Sequence, residues 1–304
     1  MSVDHRQCDL AQVRHMYMFS IPIQRVFILV FIIYCSNHCV QAQVFSSYSI
    51  TAAAGMEQLR ANNGVSVADY DQAGDLDIFV VAKAADFSGD PTTSSRLFRN
   101  NGNSQFTDVT EASGIINLYP VAETDTRRFY GLDGFKFGAF WGDYDNDGFP
   151  DLFLTCLRKY QLFHNNTDGT FTEVTLDAGL NPWNDCANTS AAWFDYNNDR
   201  YLDLYISDFE ECASNTLYKN NGDGTFENVT TAAGLDDLPR GGKSFTVMPF
   251  DFNQDGWLDI YVANDLSREN YLFVNQAGER FLEAAVAYGL DSQIDDMGMC
   301  MGDF

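Results

Sequence analysis

A nine-residue acidic loop occurs four times in this chain, and that recurrence constrains the fold more than any other feature. A sequence that repeats one loop at intervals is assembled from similar units rather than wrapped around a single irregular core. The fullest copy is Asp143-Tyr144-Asp145-Asn146-Asp147-Gly148-Phe149-Pro150-Asp151. The second carries Asp195, Asn197, Asp199, Tyr201 and Asp203 at positions 1, 3, 5, 7 and 9, and the third carries Asp251, Asn253, Asp255, Trp257 and Asp259. An upstream copy has Asp69, Asp71 and Asp77 at positions 1, 3 and 9, but Ala73 stands at position 5. An aromatic residue always follows the first Asp: Tyr70, Tyr144, Tyr196 and Phe252. The last residues, Gly302-Asp303-Phe304, read as a fifth copy cut off after its second position.

Three or four carboxylates held in one tight turn repel one another unless a cation sits among them. Positions 1, 3 and 5 point inward together, the backbone carbonyl of position 7 (Phe149, Tyr201 or Trp257) adds an oxygen, and position 9 closes the shell. Such hard oxygens suit Ca²⁺. Three ions are expected at the Asp143, Asp195 and Asp251 loops, with a fourth at the weaker Asp69 loop. Position 6 needs a positive φ, which Gly74, Gly148 and Gly256 adopt at little cost and Arg200 less comfortably. An EF-hand would place Glu at position 12 and continue into a helix; here position 12 is Leu154, and Asp151 runs into the apolar Leu152-Phe153-Leu154, so the loop joins two strands. The competing reading is an Asx-rich turn satisfied by its own backbone amides.

The units around the loops are regular. An apolar stretch follows each loop (78–81, 152–155, 204–207, 260–263), with no alternation, as expected for a strand covered on both faces. Next come Leu97-Phe98-Arg99-Asn100, Leu162-Phe163-His164-Asn165, Leu217-Tyr218-Lys219-Asn220 or Leu272-Phe273-Val274-Asn275, then a Gly- and Asp-rich hairpin turn. A closing phrase of the type Asp108-Val109-Thr110-Glu111-Ala112-Ser113-Gly114 ends each unit, and a first copy of it lies at 49–56. Four short strands per unit with tight turns predict an all-β fold, a calcium-loop β-propeller of four-stranded blades. Four blades and the start of a fifth are present, at first-Asp intervals of 74, 52, 56 and 52 residues.

These loops and phrases resemble FG-GAP or VCBS-type repeats, as in the propellers of integrin α-subunits and in the cartilage acidic protein and ASPIC/UnbV group. The resemblance covers residues 43–304 and implies a complete propeller of about seven blades, so the sequence reads as incomplete. It also implies an adhesion or interaction module for extracellular protein or glycan. The alternative is the propeller part of a carbohydrate-active enzyme, a polysaccharide lyase or hydrolase.

Charge and motifs narrow the function further. A net charge of −25 argues against nucleic acid or anionic lipid as partner. Neither a Gly-x-Ser-x-Gly elbow nor a Walker loop occurs, and His164 is expected on a solvent-facing strand position, so no enzyme is expected. The apolar run 26–35 after Arg25, followed by Val40-Gln41-Ala42, reads as a secretory signal over 1–42, with an uncleaved anchor as the alternative. The mature chain would then be secreted, with no membrane insertion. Its remaining cysteines are Cys156, Cys186, Cys212 and Cys300, and a Cys186–Cys212 disulfide is favoured because the two flank one repeat, buried free thiols being the other reading. Asn165, Asn188 and Asn228 begin N-glycosylation triplets.

Overall fold

The computed structural model describes residues 62–82, 95–115, 136–156, 159–182, 187–209, 215–236 and 243–293, together with 27–29, 45–47 and 299. It divides into two units, Met1–Ala52 and Ala53–Phe304. In the first, β1 (Phe27–Leu29) and β2 (Phe45–Ser47) pair antiparallel with Phe27 opposite Ser47. The rest of the expected signal lies outside the described residues, as do Cys186, Cys212, Cys300, the phrase at 49–56 and the stub at 302–304.

The second unit holds four antiparallel sheets, each a consecutive meander of four strands. Blade one is β3 (Asn62–Ala68), β4 (Asp77–Ala82), β5 (Arg96–Asn100) and β6 (Phe106–Asp108). Blade two is β7 (Lys136–Gly142), β8 (Asp151–Cys156), β9 (Lys159–Asn165) and β10 (Phe171–Glu173). Blade three comprises β11 (Asn188–Phe194), β12 (Asp203–Asp208), β13 (Thr216–Asn220) and β14 (Phe226–Asn228). Blade four comprises β15 (Ser244–Phe250), β16 (Asp259–Asn264), β17 (Tyr271–Asn275) and β18 (Phe281–Glu283), followed by the one-turn helix α1 (Ala285–Tyr288). The chain is thus nearly all β and built as propeller blades, as the repeat pattern predicts. The outer strand of every blade is only three residues long, which leaves little free edge for another chain to pair with.

The core lies between blades, and this explains the unbroken apolar runs. β8 and β12 are buried at every position. One cluster joins Tyr70, Phe79 and Leu97 of blade one to Leu152, Leu154 and Phe163 of blade two. The next joins Phe153 and Leu162 to Leu204, Ile206 and Tyr218, and the last joins Tyr205 and Leu217 to Ile260, Val262 and Phe273. Each fully buried Leu or Phe contributes about 1.5–3 kcal/mol of transfer free energy, so a blade is stable only beside its neighbours. After its first residue, which ends the outer strand, each closing phrase of blades one to three leaves the sheet. Each is a single turn with Ser113, Ala178 or Ala233 donating to the carbonyl four residues back, ending on Gly114, Gly179 or Gly234 at positive φ.

Candidate metal centres

In all four copies the acidic loop joins the first strand of its blade to the second. The backbone takes a left-handed conformation at position 6, with φ 88° at Gly74, 93° at Gly148, 75° at Arg200 and 88° at Gly256. Position 4 is left-handed too, at Gln72, Asn146, Asn198 and Gln254, with φ between 57° and 60°. These two reversals turn successive N–H groups into the loop. Asp143 accepts from the N–H of Asp147 at 3.1 Å and of Gly148 at 3.0 Å, while Asp147 accepts from Phe149 at 2.8 Å. Asp195 accepts likewise from Asp199 and Arg200, and Asp251 from Asp255 and Gly256. Asn197 and Asn253 each accept from the N–H of position 5 and donate to its carboxylate at 2.9 Å. The N–H groups of Tyr201 and Trp257 meet Asp199 and Asp255.

Among the described residues, three groups of candidate ligands converge. One ligand atom from each of Asp143, Asp145 and Asp147 lies within 4.8 Å of the others, and the same holds for Asp69, Asp71 and Asp77. The Asp69 loop, expected to be the weakest because of Ala73, therefore still gathers three carboxylates, and Asp69 Oδ1 is a buried oxygen without a hydrogen-bond partner. The third group is Asp145, Asp151 and His164. The expectation of a solvent-facing His164 is corrected here: its Nδ1 is buried without a hydrogen-bond partner, and it lies 3.3 Å from both Asp145 Oδ2 and Asp151 Oδ1.

Position 9 has a further task that the loop pattern alone did not reveal. Both oxygens of each buried carboxylate accept backbone N–H groups. Oδ2 takes the aromatic of position 2, namely Tyr70, Tyr144, Tyr196 or Phe252. Oδ1 takes the last residue of the third strand, namely Asn100, Asn165, Asn220 or Asn275, at 2.7–2.8 Å. Despite these donors, burial first and the loop carboxylates after it push Asp151 up to about 8, Asp203 to about 7 and Asp77 to about 6. Asp145 and Asp259 are also raised, burial being the main cause. A cation among these groups would reverse that shift by favouring the charged form.

The same asparagines tie each blade to the one before it. Asn165 Nδ2 donates to the carbonyls of Pro150 and Tyr70, Asn220 Nδ2 to those of Leu202 and Tyr144, and Asn275 Nδ2 to those of Leu258 and Tyr196. The loops are also linked directly. The position 4 amide of one loop donates to the position 6 carbonyl of the next: Gln72 to Gly148, Asn146 to Arg200 at 3.0 Å, and Asn198 to Gly256 at 3.3 Å. Aromatic stacking underlies this row, with Tyr70 against Trp141 and Tyr144 against Trp193 at 6.4 and 6.3 Å between centroids. A signal for the linkage was present in the sequence, since an amide stands at position 4 in every copy.

The glycosylation triplets fall in different surroundings. Asn165 and Asn188 are fully buried, and the Asn188 amide donates to the carbonyls of Cys156 and Lys159. Each of those two amide nitrogens already carries two hydrogen bonds, and the folded protein leaves no room for a glycan on either. Asn228 is exposed. Cys156 is a buried free thiol, raised by burial to about 11, which makes it unreactive.

The chain is similar to several known proteins. The family model described as FG-GAP-like repeat matches residues 69–154, 143–206 and 195–262. Cartilage acidic protein 1 of Xenopus tropicalis is 26% identical over 205 residues, covering 66% of this chain and 30% of its own length. The chain therefore spans about a third of that relative. Among solved structures, an Agrocybe aegerita lectin that recognises non-reducing terminal N-acetylglucosamine aligns over 80% of this chain and 57% of its own, at 19% identity and a TM-score of 0.44. The Photorhabdus luminescens Tc holotoxin pore aligns over 74% of this chain and 9% of its own, at 19% identity and a TM-score of 0.32.

Proposed function

The chain belongs to the FG-GAP-like repeat family, and from that premise we propose that it is an exported, non-enzymatic propeller whose Asp loops bind Ca²⁺ and which serves as an interaction module for extracellular protein or glycan. The observation that carries the metal part is the convergence of Asp143, Asp145 and Asp147 in front of the buried Asp151. The carbonyl of Phe149 completes that set of oxygens. Asp195, Asn197, Asp199, Tyr201 and Asp203 form the second site, and Asp251, Asn253, Asp255, Trp257 and Asp259 the third. Asp69, Asp71 and Asp77 form a fourth, poorer by one ligand. The ions staple strand-to-strand turns, and because each loop is hydrogen-bonded to the next, binding at one steadies the row. Export by the signal over 1–42, a Cys186–Cys212 disulfide and a glycan on Asn228 belong to the same reading.

Terbium luminescence tests the metal half. Excitation through Tyr144, Tyr196 and Trp257 beside the loops should sensitise bound Tb³⁺, and calcium should quench the emission by competition. Absence of sensitised emission would remove the metal reading. The interaction half is read on an immobilised panel of extracellular glycans and matrix proteins: retention that requires calcium is expected, and retention of none of them in calcium overturns it.

A further inference from the structure

The Asp143 loop differs chemically from its sisters because a nitrogen ligand faces it. His164 stands on β9 opposite Thr172 of β10, at a position held by Arg99, Lys219 and Val274 in the other blades. None of those three side chains is a usual metal ligand. The His164 ring packs edge-on against Tyr144 at 6.2 Å, and this places Nδ1, a buried atom without a hydrogen-bond partner, 3.3 Å from each of two carboxylate oxygens. Asp145 comes from the loop, Asp151 from the start of β8 and His164 from β9, so three separate backbone segments supply the three atoms. Asp151 Oδ1 accepts one N–H, from Asn165, and a second lone pair remains.

We propose that Asp145, Asp151 and His164 form a mixed oxygen and nitrogen site that takes a borderline first-row divalent cation of the zinc type in preference to calcium. Bonds of about 2.0–2.2 Å from a central ion to cis ligands leave those ligands roughly 3 Å apart, and the spacing at His164 is of that size. Imidazole suits zinc and its neighbours, whereas calcium selects all-oxygen shells. The inference deepens the calcium reading, because it shares Asp145 and Asp151 with it. It makes blade two the one described blade whose loop discriminates between classes of metal.

The test is calorimetric titration of Zn²⁺ into the full chain held in calcium at about 1 mM, the range of extracellular modules. His164→Val and His164→Arg are the variants, since both residues occupy this strand position in sister blades. The wild type is expected to bind one more Zn²⁺ than either variant, or to bind it at least about 100-fold more tightly, as removal of a direct ligand should cost at least what loss of its supporting partners does. His5, His15 and His38 are common to all three proteins, so the difference cancels whatever they bind. Calcium stoichiometry, measured separately by equilibrium dialysis, is expected to be the same in wild type and variants. Identical zinc isotherms in wild type and both variants would overturn the proposal. A zinc difference without any calcium binding would instead keep this site and refute the calcium loops.

Discussion

Replacing Asp208 with Asn isolates one buried charge at the end of β12 remote from the acidic loop. Asp208 is 4% exposed, its Oδ1 has no hydrogen-bond partner, and burial alone pushes its carboxyl up to about 7. In the unfolded chain the same group titrates near 3.8. The native state therefore holds a proton that the unfolded state has already released. For an acid raised in this way, stability is highest below about pH 4, falls as pH rises to about 7, and is level above. At about 1.4 kcal/mol per pH unit, this one residue should cost the wild type about 3 kcal/mol between pH 5 and pH 8. The neutral amide has a precedent within the chain. Asn264 ends β16 as Asp208 ends β12, and the N–H of each is bound by an Asn Oδ1, from Asn270 and Asn215 respectively. Urea unfolding of wild type and Asp208→Asn at both pH values, in saturating calcium so that the loops remain ionised, gives the answer. The variant should be more stable at pH 8, and its stability should fall less between the two pH values by about 3 kcal/mol. Equal pH dependence in the two proteins would refute the buried, unpaired carboxyl.

Other perturbations probe the row of loops. Asn220→Ala removes three side-chain hydrogen bonds, a buried one to Tyr144 and part-buried ones with Leu202 and Gly222, and should cost about 3 kcal/mol in urea unfolding. Asn221→Ala, which loses only an exposed bond to Thr225, should stay within about 0.5 kcal/mol. Arg200→Gly relieves a left-handed backbone and should stabilise the fold by about 0.5–1 kcal/mol, read as a higher denaturation midpoint. Asp147→Ala should lower the melting temperature in calcium, removing roughly a third of the calcium-induced rise, and change it little in EDTA. Equal losses in both conditions would mean that loop holds no ion.

The strands were legible because their signals are local and repeated. The apolar stretch after each loop, the hairpin glycines and the unit length all have direct physical counterparts in the blades. What escaped the sequence reading was contact between units. Asn165 was read as a glycan acceptor, yet its amide joins Tyr70 of blade one to Pro150 of its own blade. A pairwise bond across 95 residues leaves no mark in spacing or periodicity. His164 looked solvent-facing because its counterparts are cationic or aliphatic, and strand alternation does not reveal that its ring leans toward the loop. The single turn in each closing phrase was not foreseen, because one turn is too short to display a helical period.

The most direct test of the central claim is a calcium titration of the full chain that follows bound-ion stoichiometry and melting temperature together. Three or four ions bound with dissociation constants of roughly 10⁻³ M or tighter, with a melting temperature that rises in step, is the expected result. No bound calcium and no shift in melting temperature would contradict it and leave the acidic loops as turns held by their own backbone amides.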